Sequence, residues 1–235
     1  AQPRHQRLRH QRHGRSAGRQ SAQPRVLPAV VGDDRLCRGA ALGDDLTPPP
    51  WRFNPGTTVQ HWDFSAGPGG GAPDALPLNN SYGTPTLNPT SGNIWQPTFA
   101  GRNDVWAIAG GSLQFDIPNT GLQTHQKELW LQVTFLSNAA VPPPLYAVAG
   151  LSGPFTQIGG PFNTVLPNGW VHQLTQWSTP VCPASERVAI FPGLAGVQVF
   201  VDQVVIDTQC IPVPSAGSAS LLSAAGLCAL RRRRR

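Results

Sequence analysis

The sequence predicts an all-β fold: an antiparallel β-sandwich, jelly-roll-like, with a disordered N-terminal arm and a short C-terminal hydrophobic helix. Three observations carry this expectation. Twenty-five Gly and twenty-five Pro punctuate the chain too densely for long helices. Apolar residues recur with period two in several stretches, the spacing of strands with one buried face. These stretches follow one another without the crossover helices that a parallel sheet needs, so the pairing is antiparallel.

Charge divides the chain into three parts. Nine arginines lie before residue 39 and five more close the chain. Between them only Arg52, Arg102, Lys127 and Arg187 face ten acids from Asp44 to Asp207, a net charge of −6 for the body. A nucleic-acid partner lacks its electrostatic basis on such a body, so none is expected. Residues 1–43 read as a basic leader, 44–210 as the sandwich domain and 211–235 as a tail. The first 32 residues alternate Arg, His, Gln and Gly with too few large apolar residues to offset chain entropy. Ala41-Leu42-Gly43 resembles the small-residue cleavage site that closes a signal peptide.

The body begins with Asp44 to Arg52, stiffened by Pro48, Pro49 and Pro50. Thr57 to Phe64 alternates as a strand, and Gly67 to Pro77 is too rich in Gly and Pro to be anything but a loop. Asp104–Ala109 and Ser112–Ile117 flank Gly110-Gly111, which reads as a tight hairpin turn. Leu113, Phe115 and Ile117 share one face of the second strand. Leu129, Leu131, Val133 and Phe135 share one face of the next, with Trp130 pointing the other way. Asn163 to Leu166 turns through Asn168-Gly169 into Trp170–Trp177, a second hairpin. Val188 and Ile190 mark a strand over 186–191. Val197, Val199 and Val201 share a face that Val204 and Ile206 continue out of phase, so a bulge near Asp202-Gln203 is expected.

The tail joins Pro212-Val213-Pro214 to an apolar stretch, Ser215 to Leu230, and to Arg231, Arg232, Arg233, Arg234 and Arg235. The prolines end the last strand and begin a stalk. Sixteen helical residues cover roughly 24 Å against a hydrocarbon core of roughly 30 Å, so spanning is marginal. The arginines form a cytoplasmic basic stop. This order of parts resembles the PEP-CTERM sorting signal of exported bacterial proteins, with Val213 where the namesake motif carries Glu. Leu46 to Arg52, Ile117-Pro118-Asn119, Lys127 to Thr134 and Val205 to Cys210 are similar to landmarks of such proteins. The resemblance implies export to the cell envelope or extracellular matrix, a transient inner-membrane anchor through the tail, and an exosortase-type processing enzyme as partner.

Catalytic and metal-binding patterns are absent. Cys37 lies in the leader and Cys228 in the tail, which leaves Cys182 and Cys210 for the body. Their disulfide would suit an exported protein, and two buried thiols are the alternative. No Cys-x-x-Cys pair, Asp-x-Asp-x-Asp run or Gly-x-Ser-x-Gly elbow occurs, so no cofactor, metal or enzymatic activity is expected. His61, His125 and His172 are widely separated and read as structural. Seven tryptophans are many for this length, and indoles stack on sugar rings. Trp130, opposite the Leu129-Leu131-Val133 row, is the candidate glycan platform. The expected function is that of an exported envelope or matrix protein, with a lectin-like module binding polysaccharide as the alternative.

Overall fold

The structure is a computed structural model that describes residues 43–74, 76, 78–136, 143–151 and 153–213. Among the described residues, twelve strands form two antiparallel sheets. They are β1 (Thr57–Trp62), β2 (Thr86–Pro89), β3 (Asn93–Phe99), β4 (Arg102–Ile108), β5 (Leu113–Pro118) and β6 (His125–Leu136). The remainder are β7 (Leu145–Gly150), β8 (Gly153–Pro154), β9 (Thr156–Val165), β10 (Trp170–Thr179), β11 (Ser185–Phe191) and β12 (Val199–Pro212). The larger sheet runs β3-β4-β12-β6-β10-β9, with β1 also paired to β12, and the smaller runs β2-β5-β11-β7-β8. Within them, β4-β12-β6-β10 lies over β5-β11-β7-β8. Among those eight strands this is the order first, eighth, third, sixth over second, seventh, fourth, fifth, the jelly-roll arrangement of two Greek keys.

The period-two rows become the core between the sheets. Leu113, Phe115 and Ile117 of β5 meet Leu129, Leu131, Val133 and Phe135 of β6, together with Val188, Ile190, Val201, Val204 and Ile206. The register shift between Val201 and Gln203 is the expected bulge, and it keeps Val199 and Val201 inside together with Val204 and Ile206. β12 is the spine of the larger sheet. One of its edges pairs with β6 along almost the whole strand, and the other is shared by β4 at Val199–Val201 and β1 at Val204–Gln209.

Two turns show what local chemistry decides. Asn168 (φ 61°) and Gly169 (φ 82°) make the β9–β10 hairpin that the Asn-Gly pair predicts. Gly110-Gly111 does not make a hairpin. β4 belongs to the larger sheet and β5 to the smaller, so the two glycines carry the chain across the sandwich. A Cβ at Gly111 would lie 2.3 Å from the Ser91 carbonyl oxygen, so this corner admits no side chain. The partner of β4 across a tight turn is β3, through Ala100 (φ 48°) and Gly101 (φ 80°).

The last strand runs further than the prolines led one to expect. β12 does not stop before Pro212: Ile211 and Pro212 pair with Gln126 and His125, and the Val213 N–H donates to the Thr124 carbonyl at 3.1 Å. Pairing with β1 ends at Gln209, so the missing N–H of Pro212 costs the sheet nothing on that edge. The expected C-terminal hydrophobic helix is not found among the described residues either. Among the described residues the only helical turn is a 3-10 turn at Pro167–Gly169, and no helix is long and apolar enough to cross a membrane. The expected transmembrane helix and transient inner-membrane anchor therefore have no counterpart among the described residues. The apolar stretch was already shorter than the ~20 residues that a helical span needs. Pro214, Ser215 to Leu230, Arg231 to Arg235 and the leader to residue 42 lie outside the described residues.

Cys182 and Cys210 are joined by a disulfide, with Cα atoms 5.9 Å apart and a sequence separation of 28. The bond ties the chain before β11 in one sheet to β12 in the other. Replacing both cysteines by Ser is expected to lower the unfolding free energy by about 3.6 kcal/mol through loop-closure entropy. Denaturant titration reads this directly, and an unchanged midpoint would contradict it.

Candidate functional site

Three groups of residues could carry chemistry, one on the outer face of the larger sheet and two on its inner face. On its outer face a strap, residues 44–53, lies across β12, β6 and β10. Asp207 of β12 points outward yet is fully buried. An unpaired carboxylate there would be strongly destabilising. Arg52 of the strap answers it, donating from Nε and Nη2 to the two Asp207 oxygens at 2.6 Å each, while its Nη1 and Nη2 reach Asp45. Burial pushes Asp207 up to about 6 against the pull of Arg52, and the neighbouring charge of Asp45 adds to the rise.

The strap is sewn down by further polar contacts. Gln132 donates to Asp45 at 2.9 Å and accepts from the Thr47 N–H at 3.0 Å, and the Asp44 N–H donates to Gln203 at 2.8 Å. His172 sits between the hydroxyls of Thr47 (3.2 Å) and Thr134 (3.5 Å), and burial lowers its pKa. Trp51 stands against Trp130 with ring centroids 6.0 Å apart and planes at 78°. Trp130 thus lies on the face opposite the core row, half-buried, with the strap taking part of its surface.

Inside the sandwich, near the disulfide, is a second polar group. Lys127 occupies an inward position of β6, and its Nζ lies 3.2 Å from Glu186 of β11 and donates to the Thr208 hydroxyl at 2.7 Å. Asn119, just past β5, donates from Nδ2 to both Glu186 oxygens at 3.0 Å. All four side chains are buried.

The third group lines a cleft of about 310 Å³ between β7 and the β9–β10 hairpin. Here the inward row of β10 turns polar. Val171 is followed by Gln173, Thr175 and Trp177, where the neighbouring rows of β6 and β12 are apolar. Gln173 donates to Asn163 at 2.7 Å, and the Trp177 indole donates to Thr175 at 2.9 Å. Opposite them the Tyr146 hydroxyl is buried and has no hydrogen-bond partner among the described residues. No Asp, Glu, Lys or Arg occurs from Leu129 to Ser185, the segment that supplies the residues lining the cleft, so the lining carries no charged side chain. Its volume is at the lower end of the range for small-ligand sites.

Comparison with protein-family models finds no match to the chain, and comparison with curated proteins finds none either. The site rests on geometry alone. Of the residues that sequence singles out, Cys182 and Cys210 are brought together, Pro212 and Val213 close the last strand, and Trp130 lies beneath the strap. Among the described residues no cluster of His, Cys, Asp or Glu could hold a metal ion. Sequence reasoning missed the strap, the buried Lys127–Glu186 pair and the cleft. Two of these had a signal: Lys127 continues the inward Leu129-Leu131 row, and Gln173 and Thr175 interrupt an inward row.

Asp202, at the bulge, offers a pH test of this face. Burial raises its pKa to about 6 from 3.8, opposed by Arg102 and assisted by the charges of Asp44 and Asp63. The folded state therefore binds more protons than the unfolded state in that window. The stability this lends is full below 3.8 and lost as pH rises through about 6. Asp202→Asn leaves Arg102 paired with Asp44 and abolishes the titration. Relative to the parent, the variant should gain about 1–2 kcal/mol between those pH limits, discounted for the part-exposed carboxyl. Chemical denaturation at both pH values measures it; a difference that stays constant or falls would count against this assignment.

Proposed function

We propose that the domain is an exported module that binds a neutral, hydroxyl-rich ligand, a polysaccharide chain, in the cleft between β7 and β9–β10. The observation that carries this reading is the uncharged character of the cleft: amides at Gln157, Asn163 and Gln173, hydroxyls at Thr175 and Tyr146, and the Trp177 ring. Amides and hydroxyls can both donate and accept, as sugar hydroxyls do, and an aromatic ring offers the apolar face of a pyranose its complement. A charged ligand would find no counter-ion here. The orphan Tyr146 hydroxyl favours an occupant that hydrogen-bonds, since a buried polar group without a partner costs free energy that binding could recover.

Export is supported by the disulfide, a feature of oxidising compartments. It is also supported by the resemblance to exported PEP-CTERM proteins. The landmark segments supply most of both polar groups: Thr47, Arg52, Gln132, Thr134 and Asp207 on the outer face, and Asn119, Lys127, Thr208 and Cys210 inside. Trp130 is the less favourable platform of the two, because Trp51 stands against it.

Tyr146→Phe removes a hydroxyl that no described protein group uses, so folding stability should be unchanged or slightly higher. Binding to a neutral polysaccharide, measured by affinity electrophoresis or glycan array, should weaken about tenfold, the worth of one hydrogen bond in a desolvated site. Trp130→Ala should bind like the parent. Loss of binding in Trp130→Ala with Tyr146→Phe unaffected would move the site to the outer face, and failure of the parent to bind any neutral glycan would overturn the proposal.

A further inference from the structure

The chain's single lysine is the most unexpected residue inside the sandwich. Lys127 is fully buried on the row that Leu129 and Leu131 continue, and Glu186 opposite is 2% exposed. A buried ion pair is a weak source of stability, and apolar residues of similar volume commonly serve as well or better. What distinguishes this one is its third member. Glu186 Oε1 receives the Lys127 amine at 3.2 Å and the Asn119 carboxamide nitrogen at 3.0 Å, so one carboxylate oxygen holds an amine and an amide side by side. The Asn119 carbonyl oxygen in turn accepts the Thr120 backbone N–H at 2.9 Å. Amine, polarised carboxamide, shared carboxyl group and excluded water are the components of an amide exchange.

We propose that Lys127 and Asn119 join in an intramolecular isopeptide bond, with Glu186 as the catalytic residue. Nζ of Lys127 attacks Cγ of Asn119; the Nζ–Cγ bond forms and the Cγ–Nδ2 bond breaks. Glu186 gives a proton to Nδ2 and takes one from Nζ, so ammonia leaves and the carboxyl group ends as it began. Nothing is oxidised or reduced, and no co-reactant is needed. The Thr120 N–H stabilises the oxygen as charge develops on it. Burial lowers the pKa of Lys127 and raises that of Glu186, which favours a neutral amine beside a protonated acid, the forms that attack and donate. Fixing both reactants on one oxygen replaces an encounter by a small internal displacement, which offsets the poor reactivity of a carboxamide.

The bond has a structural consequence. Asn119 follows β5 in the smaller sheet and Lys127 belongs to β6 in the larger, so the link would staple the two sheets beside Cys182–Cys210. Unlike the disulfide, it would survive reduction.

Mass spectrometry of the folded, oxidised full chain tests this without a variant. The expected mass is lower than that of the sequence by one ammonia for this bond. After reduction and unfolding, trypsin should fail to cut at Lys127, leaving a single looped fragment from Asn103 to Arg187 that is lighter than its sequence by one ammonia. Full mass with release of an Asn103–Lys127 peptide overturns the proposal. So does an ammonia loss that maps to Asn168-Gly169 while Lys127 is still cut. Glu186→Gln, which keeps the shape of the site, should show full mass and normal cleavage; an isopeptide that persists in it would overturn the role of Glu186.

Discussion

The buried carboxylate of Asp207 is the constraint from which the rest of the larger sheet follows. It sits outward on β12, paired on one side to Trp130 of β6 and on the other to Val59 of β1. Water cannot solvate it there, so a cation must be brought to it. The sequence supplies that cation 155 positions earlier, at Arg52. Docking Arg52 lays residues 44–53 over the sheet, which brings Asp45 to Gln132, Thr47 to His172 and Trp51 to Trp130. The larger sheet becomes a middle layer, apolar on the side of the smaller sheet and polar but covered on the other.

Strand alternation sets the second polar group next to the first. Asp207 faces the strap while Thr208, the next residue, faces inward to Lys127 and to the Thr58 hydroxyl at 2.7 Å. One residue on β12 therefore separates a sealed outer network from a sealed inner one. The two networks hold Arg52, Asp45 and Asp207 on one side and Lys127 and Glu186 on the other, and the charge-free segment from Leu129 to Ser185 builds the open part of the sandwich. Gly159-Gly160-Pro161 interrupts the register of β9 at that edge, which discourages pairing with another strand and leaves the cleft beside it accessible.

Much of this was legible in the sequence because it is local. Period-two rows identified the core faces of β5, β6, β11 and β12, the Asn-Gly pair identified the β9–β10 hairpin, and the phase slip at Asp202 identified the bulge. Contacts between distant segments were not legible. Gly110-Gly111 has the chemistry of a hairpin turn, but only the competition among partners decides that β4 pairs with β12 and leaves β5 to the other sheet. The Pro-rich strap makes no ladder, so periodicity is silent about it, and its partners in β6 and β12 lie 85 or more residues away. Pro212 misled because proline forbids a strand only where its N–H is needed. Lys127 was visible as a charge in an apolar row, yet nothing local named Glu186 and Asn119 as its partners.

The claim that ties these features together is that residues 44–52 are part of the folded domain and cover its outer face. Residue-resolved hydrogen–deuterium exchange on the full chain tests it most directly. The Asp44 and Thr47 amides, held by Gln203 and Gln132, are predicted to exchange as slowly as amides of β12 and to open only with the whole domain. Exchange of these amides at the rate of a free peptide while β12 stays protected would show the strap to be loose, and would leave Asp207 and Trp130 facing solvent.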